Sequence, residues 1–306
     1  MVQKDCLKNK ILIICGATAS GKSSLAIECA KILDTEIISA DSMNIYSELD
    51  IGTAKPNVYE MQGIKHHLID VVDKFSNFTV SDFKTLAKPI IDELLSKGKT
   101  PIICGGTGFY INSILYNLSY GGGEGNLELR NYYKDLADKY GNEYVYNILK
   151  EKDPVSAQKL HFNDLKRVVR ALEICENGKL KSELNDDLTP NYDYSAFSIN
   201  WDREVLYTRI NNRVDEMIKN GLIDEVKKLI DAGVTIENQC MQGIGYKEIY
   251  AYLKGEMDLE SAIELLKLNT RHYAKRQITF FKKLPNLINL EYTDFESMAK
   301  GIIGQL

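Results

Sequence analysis

Apolar residues follow two alternating rhythms along this chain. Ile11 to Cys15 is an unbroken apolar run of strand length, whereas Lys22 to Leu33 places Leu25, Ala26, Cys29 and Ile32 at helical spacing. Thr35 to Ser39 again reads as a strand, Val80 to Lys97 as a helix, and Thr100 to Cys104 as a buried strand ending in Gly105-Gly106. Short apolar strands separated by helices predict βαβ units, and hence a parallel sheet covered on both faces. The rhythm changes near Tyr120, where Gly121-Gly122-Gly123-Glu124-Gly125 interrupts it, and from Leu127 to Glu183 the polar, Tyr-rich segments carry helical spacing only. Beyond Asn185-Asp186-Asp187 and Pro190-Asn191, Ala196 to Trp201 alternates as a strand does. Arg203 to Lys219, Leu222 to Ala232 and Leu259 to Lys283 read as helices, and Leu287 to Leu290 as a last strand. The pattern predicts an α/β core formed by residues 1–118 and 195–306, with an all-helical insertion over 119–194.

Composition narrows the class without naming a function. The chain has 306 residues, 44% hydrophobic and 26% charged, which is ordinary globular usage and excludes disordered and collagen-like readings. No run approaches the roughly 18 apolar residues that cross a bilayer, and Lys4, Asp5, Lys8 and Lys10 occupy the start, where a signal peptide would be apolar. A cytoplasmic chain is expected. Six cysteines without a Cys-x-x-Cys pair, and four histidines, argue against a structural zinc site. Cys15 and Cys104 sit in strand-like runs and read as core residues. A net charge of −5 gives no hint of nucleic acid, but a local basic surface can still meet phosphates.

Gly16-Ala17-Thr18-Ala19-Ser20-Gly21-Lys22-Ser23 matches G-x-x-x-x-G-K-[ST] and lies between a strand and a helix, the context the motif requires. The glycines let backbone N–H groups turn toward phosphate oxygens, and the helix start adds its positive dipole end. Lys22 supplies a mobile cation and Ser23 a hydroxyl for Mg²⁺. Such a loop implies a diphosphate or polyphosphate ligand; by itself it leaves a nucleotide-binding kinase or ATPase as the default.

Further motifs follow. Ala40-Asp41-Ser42-Met43-Asn44-Ile45-Tyr46 stands directly after the second strand, then Leu49 to Pro56, His66-His67-Leu68-Ile69-Asp70 and Gly105-Gly106-Thr107-Gly108-Phe109-Tyr110. Asn163 to Glu173, Gly243-Ile244-Gly245-Tyr246-Lys247-Glu248 and Thr270 to Gln277 complete the series. Together with the phosphate loop, this series closely resembles the tRNA dimethylallyltransferases, also called tRNA isopentenyltransferases, of the bacterial type, since no zinc-binding extension follows the matched motifs. The resemblance implies a P-loop NTPase-like core and transfer of a dimethylallyl group from dimethylallyl diphosphate to N6 of adenosine 37 in tRNA. On that reading the phosphate loop holds the prenyl diphosphate in place of a nucleotide. Two departures are Ala17, where the family usually has Pro, and the glycines at 121–125. Neither touches a catalytic group.

The residues suit that chemistry. Loop amides, Lys22 and a Mg²⁺ held partly by Ser23 can neutralise a leaving diphosphate. An exocyclic amine must lose a proton, so a carboxylate beside N6 is needed. Asp41, at a strand end on the edge that carries the phosphate loop, is the candidate; its plain alternative is a loop-capping Asp. The family assigns the Thr18 hydroxyl to the oxygen joining carbon and phosphorus, against a turn-stabilising role. Arg213 resembles the arginine that contacts the diphosphate, with Arg209 one helical turn away as its rival.

For RNA, Arg271 and Lys275, and likewise His272 and Arg276, are spaced i,i+4 and form adjacent cationic stripes with Tyr273, Phe280 and Phe281 interleaved. Lys166, Arg167 and Arg170 open a second basic helix, whose plain alternative is a solvated face. The resemblance implies anticodon-loop contacts at Asp41, Ser42, Met43, Asn44, Thr107, Lys166, Arg167, Val168, Val169, Arg170, Gly243, Gly245 and Tyr246, and a backbone contact at Arg130. A base that undergoes chemistry must leave its stack. Thr107 could instead cap the following helix, and His66 and His67 are expected to be structural. The expected partners are dimethylallyl diphosphate and the tRNA anticodon stem-loop, the protein acting as a monomer away from membranes. Competing readings are prenylation of free adenine nucleotides and a non-catalytic P-loop RNA-binding protein.

Overall fold

The computed structural model describes residues 10–119, 126–184 and 186–306. The chain start with Cys6, the glycine interruption at 121–125 and Asn185 lie outside the described residues. Two compact units are formed, one from residues up to Leu115 together with Pro190–Leu306, the other from Tyr116–Thr189.

The first unit is built on a six-stranded sheet whose described pairings are all parallel, in the order β3-β2-β4-β1-β5-β6. Its strands are β1 (Lys10–Cys15), β2 (Ile37–Ser39), β3 (His66–His67), β4 (Ile102–Gly105), β5 (Asp193–Asn200) and β6 (Leu287–Glu291). Ile11 to Cys15 of β1 are fully buried, as a central parallel strand covered on both faces requires. The two-residue β3 is too short to announce itself by periodicity, and β5 begins three residues before the alternation at Ala196 suggests.

Helices α1 (Lys22–Leu33), α2 (Val58–Met61), α3 (Val80–Ser96) and α4 (Gly108–Leu115) belong to the amino-terminal part of this unit. The second unit contains α5 (Leu127–Tyr140), α6 (Asn142–Lys152), α7 (Pro154–Gln158) and α8 (Leu165–Glu176). The first unit resumes with α9 (Arg203–Lys219), α10 (Leu222–Asp231), α11 (Tyr246–Leu253), α12 (Leu259–Phe281) and α13 (Phe295–Ile303). Leu25, Ala26, Cys29 and Ala30 of α1 pack with Met298, Ala299 and Ile302 of α13 over Leu12, Ile14, Ile102 and Phe197 of the sheet. Cys15 and Cys104 are buried, and burial pushes their thiols up to about 12 and about 11. Both act as core residues.

Tyr133, Ala137, Val145, Leu149, Val168 and Leu172 form the separate core of the helical unit. Val168 and Val169 are 0% and 5% exposed, which corrects their expected place among RNA contacts: their side chains are occupied in that core. None of the described helices is long and apolar enough to cross a membrane.

Register fixes what the sheet edge presents. Cys15 is opposite Gly105 and Ser39 is opposite Cys104, so the segments leaving β1, β2 and β4 start side by side. β1 lies between β4 and β5, and such a crevice at the carboxyl ends of parallel strands is where open α/β sheets bind ligands.

Candidate active site

The phosphate loop is held by its carbonyls. Lys22 Nζ donates to Ala17 O at 3.3 Å, Arg209 Nε to Ala19 O at 2.8 Å, and Trp201 Nε1 to Ser20 O at 2.9 Å. Arg209 also stacks 4.4 Å over the Trp201 ring. With these carbonyls engaged, the amides at the start of α1 remain for an anion. Gly21 precedes α1 at φ +93°, a left-handed conformation that gives the loop its turn, and neither a side-chain cap nor a first-turn acid competes for the helix start.

Around the loop lies a cleft of about 850 Å³ lined by Thr18, Lys22, Ser23, Asp41, Asn44 and Arg213, among others. Arg213 Nη1 is 3.5 Å from Thr18 Oγ1. Desolvation pushes the Lys22 pKa down, opposed by nearby Cys104 and Asp41 and reinforced by Arg213. Arg213 is likewise lowered by burial and supported by Asp41. Two cations thus share a desolvated wall, an arrangement that favours a polyanion. Arg209 lines the same cleft, but its guanidinium is engaged by Ala19 and Trp201; Arg213 stands beside the Thr18 hydroxyl.

Asp41 Oδ1 accepts from Met43 N at 2.9 Å, so it does turn the loop, and it lines the cleft as well. Thr107 does more than precede α4. Its Oγ1 accepts from Ser42 N at 3.0 Å and lies 3.3 Å from Ser42 Oγ, tying the Asp41 segment to the end of β4. Gly243 is brought against the same segment: a Cβ there would lie 2.5 Å from Met43 Cε. Gly245 N donates to Glu248 Oε2 at 2.8 Å, opening α11.

Other expected contacts are placed differently. Tyr246 is fully buried and donates to Glu225 Oε1 at 2.6 Å, so its side chain supports the fold instead of an RNA surface. Arg271 Nη1 donates to Asn211 Oδ1 at 2.7 Å, which links α12 to α9 and removes part of Arg271 from the expected cationic stripe. Lys275 and Arg276 are exposed and, with Thr279, Phe280 and Lys283, line a second, shallow groove. In the helical unit, Arg130 makes a two-pronged pair with the fully buried Glu173 (Nη2 to Oε2 3.0 Å), and Arg170 Nη1 lies 2.5 Å from the same carboxylate. Arg167 pairs with Asp164 at 3.0 Å, and Lys166 is exposed. His66 Nδ1 bonds Ile64 O and His67 Nε2 bonds Glu36, structural roles as expected.

Sequence reasoning overlooked Glu225 and Gln277. Glu225 accepts from the amides of Asp50, Ile51 and Gly52 at 3.0, 2.8 and 3.0 Å and so shapes the loop that follows Asp41. On an amphipathic helix it carries no signal distinguishing it from a solvated acid. Gln277 closes the Thr270 to Gln277 motif, which attaches no role to it.

Among the described residues no cluster of three or more His, Cys, Asp or Glu could hold a metal by itself. Mg²⁺, however, can be held by few protein oxygens together with substrate phosphates and water, and exposed Ser23 at the loop, lining the cleft, fits that donor set.

Comparison with known proteins places the chain among its relatives. The family model described as IPP transferase matches residues 44–284. A tRNA dimethylallyltransferase from Acetivibrio thermocellus is 49% identical over 298 residues, covering 96% of this chain and 95% of the relative. The crystal structure of a full-length tRNA isopentenylpyrophosphate transferase from Bacillus halodurans is 40% identical and superposes with a TM-score of 0.74, covering 97% of this chain and 95% of the other. A eukaryotic dimethylallyltransferase captured acting on tRNA superposes with a TM-score of 0.81 at 30% identity, covering 97% of this chain and 77% of the other. On a match that runs nearly end to end, the chain belongs to the IPP transferase family of enzymes.

Proposed function

We propose that this enzyme transfers the dimethylallyl group of dimethylallyl diphosphate to N6 of adenosine 37 in the anticodon loop of tRNA. The observation that carries the reading is the single cleft in which Lys22 and Arg213 meet the Thr18 hydroxyl and Asp41. Cations and a hydroxyl are what a departing diphosphate needs; a carboxylate is what an amine losing a proton needs. The loop amides, Lys22 and Arg213 take up charge as the bond between the allylic carbon and oxygen breaks, while Thr18 faces the bridging oxygen. The N6–carbon bond forms as diphosphate leaves with the electron pair, and the N6 proton passes to Asp41. Ser23 and the diphosphate oxygens would hold Mg²⁺, which supplies further charge neutralisation.

Exposed Lys275 and Arg276 suit phosphates of a stem-loop, as do Lys166 and Arg167 on their own unit. A free nucleotide has no use for these surfaces, and a non-catalytic RNA binder has none for Asp41 beside a phosphate loop. The reading includes action as a monomer in the cytoplasm. Its test is mass spectrometry of tRNA nucleosides after incubation with dimethylallyl diphosphate and Mg²⁺, with adenosine monophosphate as a parallel acceptor. N6-isopentenyladenosine in tRNA supports it; product only on the free nucleotide, or ATP hydrolysis without prenylation, refutes it.

A further inference from the structure

We propose that Gln277 is a positioning residue for the transfer reaction, clamping the phosphate loop to the helix that carries Lys275 and Arg276 and thereby aiming the Thr18 hydroxyl. The inference rests on the reading that the loop holds prenyl diphosphate. Gln277 lies on α12 and is 4% exposed. Its Oε1 accepts from Thr18 N at 2.8 Å, and its Nε2 donates to Gly106 O at 3.0 Å. One buried carboxamide therefore joins the loop after β1 to the loop after β4, using its acceptor on one and its donor on the other. Glu in its place lacks the donor, and Met lacks both. Gly106 is fitted to this clamp, because a Cβ there would lie 2.1 Å from Nε2.

The bond to Thr18 has a particular consequence. Elsewhere the loop is pinned through its carbonyls, whereas at Thr18 the amide N–H itself is taken by protein. That peptide is thereby fixed facing Gln277, which sets the direction of the side chain whose Oγ1 lies 3.5 Å from Arg213. The clamp also reaches the other reactant. Tyr273, one turn earlier on α12, lies near Thr107 and Gln277, and burial raises its pKa. Thr107 in turn holds Ser42, next to Asp41. Gln277 thus joins the phosphate loop directly to Gly106, whose neighbour Thr107 holds the segment beside the proton acceptor. Freed of Gln277, the Thr18 N–H is left unpaired or turns toward the diphosphate, and the hydroxyl moves with it.

The test is a cycle of wild type, Gln277→Met, Thr18→Ala and the double variant. Each is assayed in single turnover with saturating dimethylallyl diphosphate and an anticodon stem-loop RNA, alongside KM for the RNA and the melting temperature. Misplacement of a reacting group by about 1 Å costs on the order of a hundredfold. Gln277→Met is therefore expected to slow the single-turnover rate by roughly tenfold to a hundredfold while KM for RNA stays within about threefold. In the Thr18→Ala background it should cost little more, because it acts through that residue. A rate for Gln277→Met within about twofold of wild type overturns the proposal, and so do two losses that multiply. Should Gln277→Met fail to fold, Gly106→Ala displaces the same Nε2 with one methyl group and is judged by the same criteria. An inactive wild type defeats the functional reading and this inference with it; an active wild type with an unimpaired Gln277→Met defeats the inference alone.

Discussion

Replacing Gly105 by Ala should separate the strands that carry the two halves of the cleft. A Cβ at Gly105 would lie 2.1 Å from the carbonyl oxygen of Ala40, 2.3 Å from its carbon and 2.8 Å from its Cα. All three are backbone atoms, so no side chain can swing aside. Reaching even 3.0 Å, the shortest approach a Cβ tolerates, requires β2 and β4 to part by at least roughly 0.9 Å at this point. Ala40 N donates to Cys104 O at 2.8 Å and Thr107 N to Ala40 O at 3.0 Å, and both bonds bridge the gap that must open. Two weakened backbone bonds at about 1 kcal/mol each, plus overpacking strain of about 1–3 kcal/mol, give a destabilisation of roughly 3–5 kcal/mol. Asp41 follows Ala40 directly and should move by a similar distance away from the phosphate loop, which at about 1 Å lowers the transfer rate by on the order of a hundredfold. Chemical denaturation of wild type and Gly105→Ala measures the first effect. Single-turnover prenylation, at a temperature where both are folded, measures the second. A variant as stable and as fast as wild type would show that this strand junction does not set the position of Asp41.

Asp41→Ala should reduce the single-turnover rate by about a hundredfold or more, with RNA affinity changed far less; a rate within threefold of wild type would remove Asp41 from proton transfer. Replacing Lys275 and Arg276 together should weaken binding to every tRNA tested and lower the slope of log affinity against log salt by roughly 0.7 to 0.9 per lost phosphate contact, whereas an unchanged slope would make this pair a solvated face. Asp153 is fully buried at the start of α7, where its two oxygens accept from the amides of Ser156 and Ser182 at 3.0 Å each. Although burial opposes ionisation, those bonds hold its pKa down to about 2 from 3.8. Its contribution is then complete above about pH 4 and disappears as pH falls through 2, so Asp153→Ala should be clearly less stable than wild type at pH 7 and converge with it near pH 2 in urea titrations. A stability gap that stays constant with pH would assign the loss to packing alone.

The parts of the fold that depend on continuous burial could be read directly from the chain. Ile11 to Cys15 and Ile102 to Cys104 are apolar throughout because both faces of their sheet are covered. β3 and α13 were not apparent: a two-residue strand has no period, and α13 owes its place to packing on α1, a partner some 270 residues earlier. In the site, the phosphate loop was legible because its geometry demands glycines at fixed spacing, and Asp41 because it follows a strand. The RNA contacts were less so. Helical spacing groups Arg271 with Lys275 but cannot tell that Asn211 lies across from one and solvent across from the other. A motif likewise carries core residues along with contact residues, as Val168, Val169 and Tyr246 illustrate. Glu225 and Gln277 act through distant backbone amides and carbonyls, and nothing local to either residue announces such partners.

The central position of β1 also governs how the protein can be made. Its sheet neighbours are β4 and β5, whose paired residues follow it by about 90 and about 180 positions. At about 5–20 residues per second, a ribosome needs on the order of ten seconds or more to deliver β5 after β1. Throughout that interval a strand that is apolar from Ile11 to Cys15 waits without one of its two partners. Contacts this remote slow folding and leave the nascent chain open to aggregation, so newly synthesised molecules should engage chaperones early. Arg213 and Gln277, which flank the phosphate loop in the finished protein, are translated later still. A product released prematurely before them would contain the full Gly16–Ser23 signature, yet be unable to assemble the pocket to which that signature belongs.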